Sequence, residues 1–108
     1  MSGISTHVLD TSLGRPAAGV AVTLERWELD AWLACASAVT DPDGRCKQLL
    51  APENVLAGRY RLTFATGDYF EKTLYPEIAI TFEVTADAAN YHIPLLLNPF
   101  GYTTYRGS

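Results

Sequence analysis

The sequence predicts an all-β protein built as a two-sheet sandwich, and three observations carry that expectation. Several segments alternate large apolar residues with small or polar ones, as in Ile78-Ala79-Ile80-Thr81-Phe82-Glu83-Val84-Thr85. A period of two marks a strand with one buried face. Turn residues punctuate nearly all of these segments, at Leu13-Gly14-Arg15-Pro16, Asp41-Pro42-Asp43-Gly44, Ala57-Gly58 and Asn98-Pro99-Phe100-Gly101. A chain of 108 residues suits one domain with one core, so a single domain over 1–108 without a linker is expected. About eight short strands at such spacing favour a sandwich over a parallel α/β sheet.

Taken in order, the first strand runs from Ile4 to Asp10, with Ser5, His7 and Leu9 on one face and Thr6 and Val8 on the other. Either face suits the core. Val20 to Leu24 turns Val20, Val22 and Leu24 inward, and Trp32 to Thr40 follows as a weaker strand. A short piece from Cys46 to Leu50 comes next, then Arg59 to Phe64 with Tyr60, Leu62 and Phe64 inward. Asp68-Tyr69-Phe70-Glu71 resembles a capping box, so a helix is expected from there, stopped by Pro76 a couple of turns on. Ile78 to Thr85, Tyr91 to Leu97 and Tyr102 to Arg106 complete the strands. No internal repeat or low-complexity tract occurs.

Composition narrows the function. Hydrophobic residues are 48% of the chain, yet no apolar run approaches the roughly 20 residues of a membrane span. The start of the chain has no room for a basic, apolar and cleavable leader before Ile4, so a cytoplasmic location is expected. A net charge of −4 with scattered basic residues argues against nucleic acid. Cys35 and Cys46 form neither a CxxC nor a metal-ligand spacing, and both are expected as reduced thiols.

The residues able to do chemistry are few. His7 and His92 are the two histidines. Tyr91, Ile93, Leu95 and Leu97 form the core face of their strand, which leaves His92, Pro94 and Leu96 on a face suited to an interface or a cleft wall. Taken alone, each histidine reads first as a hydrogen-bonded structural or surface residue. Asp41-Pro42-Asp43-Gly44 is a strong turn, so Arg45 opens a new strand, where a guanidinium can meet a carbonyl or oxyanion. A calcium loop fails because its twelfth position is Pro52. The final Tyr105-Arg106-Gly107-Ser108 is too polar for a core; on an extended strand Arg106 and Ser108 share a face and Tyr105 points the other way.

Four blocks together resemble a known family. Ser5-Thr6-His7-Val8-Leu9-Asp10-Thr11-Ser12-Leu13-Gly14-Arg15-Pro16-Ala17, Thr40-Asp41-Pro42-Asp43-Gly44-Arg45, Tyr91-His92-Ile93-Pro94-Leu95-Leu96-Leu97 and the terminal Tyr105-Arg106-Gly107-Ser108 are similar to the signature blocks of the 5-hydroxyisourate hydrolases. The resemblance spans the chain. It implies a transthyretin-like (prealbumin-like) sandwich of eight strands with one short helix, a homotetramer with active sites at subunit interfaces, and no metal or organic cofactor. It also implies the reaction: water opens one ring of 5-hydroxyisourate at a cyclic amide, giving a ureidoimidazoline carboxylate in urate breakdown. His7, Arg45, His92 and Ser108 fall at the family's catalytic positions, with Tyr105 and Arg106 as support.

Those residue types suit amide hydrolysis, which needs a base for water, an acid for the leaving nitrogen and a cation for the oxyanion. The sequence leaves open which histidine is base and which is acid. Ser108 reads as a group that orients water, since no third partner completes a nucleophilic triad. Three other readings compete. A transthyretin-type carrier of small molecules shares the fold. An adhesion or carbohydrate-binding sandwich would use Trp27, Trp32, Tyr75 and Tyr102. A metal hydrolase would use His7 and His92, a poor zinc set without an acidic ligand.

Overall fold

The computed structural model describes residues 3–107. Among them the strands are, in chain order, β1 (Ile4–Asp10), β2 (Arg15–Pro16), β3 (Ala21–Glu28), β4 (Ala31–Val39), β5 (Arg45–Leu50), β6 (Gly58–Phe64), β7 (Ile78–Val84), β8 (Tyr91–Asn98) and β9 (Gly101–Thr104). A 3-10 turn (Pro52–Asn54) and a one-turn helix, α1 (Thr66–Tyr69), lie between them. The strands form two sheets, as expected of a sandwich. The ninth strand is the two-residue β2, which lies in a segment read from sequence as turn alone.

β1 is the spine of the first sheet. On one edge it pairs in parallel with β8 along its whole length, from Ile4 opposite Tyr91 to Asp10 opposite Leu97. Its other edge is divided: β5 pairs antiparallel with the first half and β2 with Leu9 and Asp10. β9 continues the sheet beyond β8. The second sheet is antiparallel throughout, in the order β4-β3-β6-β7.

Alternation fixes what lies between the sheets. Val22, Leu24, Leu62 and Phe64 from the second sheet meet Ile4, Val8, Leu95 and Leu97 from the first, and all eight are fully buried. Burying each such side chain contributes about 1.5–3 kcal/mol. The core face of β1 is thus Ile4, Thr6, Val8 and Asp10, which sends Ser5, His7 and Leu9 to the outer face. Ile80 and Phe82 keep the expected parity but are only partly covered, because β7 is an edge strand. In β4 the alternation breaks: Leu24 pairs with Ala36 and Glu25 with Ala34, leaving Cys35 as the extra residue of a β-bulge. Both thiols are free, Cys35 exposed and Cys46 buried.

The helix differs from its sequence reading. It is a single turn that ends where Phe70 becomes extended, and Asp68 sits inside it rather than at its cap. Tertiary hydrogen bonds anchor the single turn. The Gly67 amide donates to the Pro76 carbonyl at 2.7 Å, and the Tyr69 hydroxyl donates to the Asp10 carboxylate at 2.7 Å. Asp10, buried at the end of β1, also accepts from the Ser12 amide and hydroxyl and the Leu13 amide. Burial alone would raise its pKa, but these hydrogen bonds outweigh it and hold the carboxyl below its usual value. Burial and the Asp10 carboxylate push the Tyr69 phenol up to about 12.

Candidate active site

The outer face of the first sheet gathers the polar residues singled out in the sequence. In the antiparallel β1–β5 pairing His7 lies directly opposite Arg45, and in the parallel β1–β8 pairing Ser5 lies opposite His92. Neighbours across a ladder share a face, so Ser5, His7, Arg45 and His92 stand together. Three strands from distant parts of the chain therefore supply one patch.

Each side chain is held locally. The Asp41-Pro42-Asp43-Gly44 turn closes through the Gly44 amide to the Asp41 carbonyl at 2.8 Å, while the Asp41 carboxylate accepts from the Asp43 and Arg45 amides at 2.9 Å each. Gly44 has φ +77°, and a Cβ there would come within 2.3 Å of the Val8 carbonyl oxygen. Only glycine lets the turn pack so closely on β1. That approach brings the Asp43 carbonyl 2.8 Å from His7 Nε2. A carbonyl oxygen only accepts, so Nε2 donates and the neutral ring keeps its lone pair on Nδ1.

His92 is clamped from two sides. Its Nδ1 lies 2.9 Å from Ser5 Oγ. On another side runs the end of the chain: the Gly107 amide donates to the His92 carbonyl at 2.7 Å, and a Cβ on Gly107 would stand 2.6 Å from His92 Cδ2. Burial, then the charges of Arg45 and His7, hold the His92 pKa below the ordinary histidine value. The ring is accordingly neutral at pH 7. Arg45 forms no ion pair among the described residues.

The structure brings His7, Arg45 and His92 together and separates Arg106 from them. Thr104 opposes Leu95 and Gly107 opposes His92, so in this register Arg106 falls across from Ile93, a core-facing residue. Its guanidinium stacks 4.2 Å over the Tyr91 ring and donates to the Asn90 carbonyl at 3.4 Å. The residue on the His92 face is instead Gly107, with the exposed Tyr105 two positions before it. β9 also ends at Thr104, short of the expected Arg106. Ser108 lies outside the described residues. Ser5 and the Asp43 carbonyl were missed as parts of the site, although Ser5 and His7 share a face by simple alternation.

Fold and site together define a class: a small two-sheet sandwich bearing two imidazoles and, on the same outer sheet face, a guanidinium with no ion pair among the described residues. The chain belongs to the HIUase/Transthyretin family, whose model matches residues 4–107. A 5-hydroxyisourate hydrolase of Salmonella typhimurium is 43% identical over 109 residues, covering 97% of this chain and 80% of that protein. The structure of Klebsiella pneumoniae 5-hydroxyisourate hydrolase aligns over 100% of both chains with a TM-score of 0.87 and 39% identity. Transthyretin from Sparus aurata covers 99% of this chain and 97% of its own with a TM-score of 0.93 and 28% identity. Both branches share the fold, so function has to be argued from residues.

Proposed function

We propose that this chain is a 5-hydroxyisourate hydrolase acting in urate degradation. The observation that carries the reading is the patch of His7, His92 and Arg45, in which one imidazole has its tautomer fixed by a backbone carbonyl and the guanidinium has no carboxylate partner among the described residues. The enzyme relatives support the substrate.

His7, donating from Nε2 to the Asp43 carbonyl, offers the Nδ1 lone pair to water. The water oxygen bonds to the cyclic amide carbon, its proton passes to His7, and the carbonyl oxygen gains the negative charge that Arg45 faces. Breaking the C–N bond then returns the proton from His7 to the leaving nitrogen and leaves a carboxylic acid, which ionises to carboxylate by releasing its proton to solvent, so one water is consumed per ring opened. General acid–base help of this kind gives roughly 10²–10⁴-fold. Ser108 is proposed as the group that orients the water, with Tyr105 and Arg106 holding the tail through the Tyr91 stack. The reaction as written uses no cofactor.

The active form is proposed as a single-domain subunit of a homotetramer in the cytosol. Half-buried His92 and Leu96 with exposed Leu13, Phe100 and Tyr102 on the chain surface support an assembly. No helix among the described residues is long and apolar enough to cross a membrane. The test is direct: generate 5-hydroxyisourate with urate oxidase and follow its ultraviolet decay. The chain should accelerate the decay; a rate equal to the spontaneous one overturns the reading.

A further inference from the structure

We propose that Ser5 is a positioning residue for His92: its hydroxyl donates to Nδ1, which places the ring proton on Nε2 and makes His92 the hydrogen donor to the reacting substrate. This inference rests on the hydrolase reading and deepens it, since it divides the two histidines between base and hydrogen-bond donor.

The argument is one of hydrogen-bond accounting. Ser5 is 6% exposed, and its Oγ lies 2.9 Å from His92 Nδ1. That is the only partner of the Ser5 hydroxyl among the described residues. Were Nδ1 protonated, Oγ would accept and its own O–H would be left unpaired in a buried position, which is costly. With Nδ1 as acceptor the hydroxyl is satisfied and neutral His92 carries its proton on Nε2. His7 uses its Nε2–H on the Asp43 carbonyl and keeps Nδ1 free. The two rings are therefore set in opposite senses, one to accept a proton and one to donate a hydrogen bond.

The surroundings of His92 agree. Its ladder neighbour across the β1–β8 pairing is Ser5 itself, so strand register, not a flexible rotamer alone, brings Oγ to Nδ1. Gly107 runs along the Cδ2 edge, adjacent to Nε2, with no side chain to cover it. Burial of the ring and the charge of Arg45 keep it neutral, the state in which a single tautomer matters. A neutral imidazole aimed by its other nitrogen is how such rings are commonly oriented.

Side-chain 15N NMR on the wild-type protein without substrate, above the His92 titration, reads the tautomer directly. The expected result is an unprotonated, hydrogen-bond-accepting Nδ1 and a protonated Nε2 on His92; a protonated Nδ1 overturns the proposal. In Ser5→Ala the His92 tautomers should mix and kcat should fall about 10- to 100-fold, the scale of hydrogen bonds that orient a working imidazole, with KM nearly unchanged. Ser5→Thr, which keeps a hydroxyl, should restore both the tautomer and kcat. A folded Ser5→Ala enzyme with wild-type kcat overturns the idea, and if that variant fails to fold the wild-type spectrum still decides. Failure of wild type to accelerate 5-hydroxyisourate decay would instead remove the substrate assignment, a result distinguishable from any tautomer measured.

Discussion

The outer faces of the two sheets use the same residue types to opposite ends. On the outer face of the second sheet Arg61 meets Glu25 at 2.7 Å and stacks 4.3 Å over Trp32, and Arg59 meets Glu83 at 2.8 Å. On the first sheet Arg45 has no such partner among the described residues and stands beside two imidazoles. Paired ions are a solvated structural surface of small net value. A cation with no ion pair among the described residues, set beside two imidazoles, is an arrangement that does little for folding and suits a developing negative charge.

The sharpest way to break this contrast is to neutralise one arginine on each face. Arg45→Gln should lower kcat/KM by roughly 10²–10³-fold, the cost of removing one oxyanion donor. Arg61→Gln should leave kcat/KM unchanged. Steady-state kinetics on both variants decides, and equal losses would mean that the faces do not differ as described. Gly107→Ala is the next step down. A Cβ 2.6 Å from His92 Cδ2 and 3.0 Å from Pro94 Cγ must displace the tail or the ring. Misplacing a catalytic group by about an ångström costs on the order of 100-fold at most, so kcat should drop within that bound while the melting temperature barely moves.

A third comparison uses protons. His92 titrates below its usual value, first through burial and then through Arg45 and His7. The limb of kcat/KM that needs neutral His92 therefore lies on the acid side of the ordinary histidine pKa of about 6.5. Removing the Arg45 charge should move the His92 titration upward, whereas Arg61→Gln should leave it in place; NMR titration of the ring reads both. The sign for stability follows. With the folded pKa depressed, the contribution of His92 is fully present above about pH 6.5 and is lost as pH falls through the folded pKa.

Much of this was legible in the chain because period-2 patterning needs no partner. Val22, Leu24, Tyr60, Leu62, Phe64, Ile93, Leu95 and Leu97 all face inward as alternation dictates. What escaped depended on contacts between distant segments. Cys35 breaks the parity of β4 through a bulge that only pairing with β3 creates. The capping-box pattern at Asp68 does not start the helix, because the turn begins at Thr66 and the Asp68 amide already donates to the Ala65 carbonyl. Arg106 and Ser108 share a face on any ideal strand, but the register of the tail on β8 decides which side that is, and Arg106 lands over Tyr91. Ser5 was visible beside His7, yet its partner His92 is 87 residues away and is reached through a parallel pairing no local pattern announces.

The smallest expected effect tests the structural face on its own terms. Arg61→Ala removes an ion pair whose side chains are 32% and 25% exposed and a stack on Trp32. An ion pair near the surface contributes about 0.2–1 kcal/mol and a partly exposed cation–π contact roughly 0.5–1 kcal/mol, so the loss should be about 1 kcal/mol. Part of it should vanish in high salt, which screens the ion pair. Arg45→Ala should show no comparable loss and no such salt dependence, because among the described residues it neutralises no carboxylate. Urea unfolding of both variants at low and high ionic strength provides the check. A destabilisation of Arg45→Ala as large and as salt-sensitive as that of Arg61→Ala would mean that Arg45 also holds the fold together, and the division between a working face and a structural face would fail.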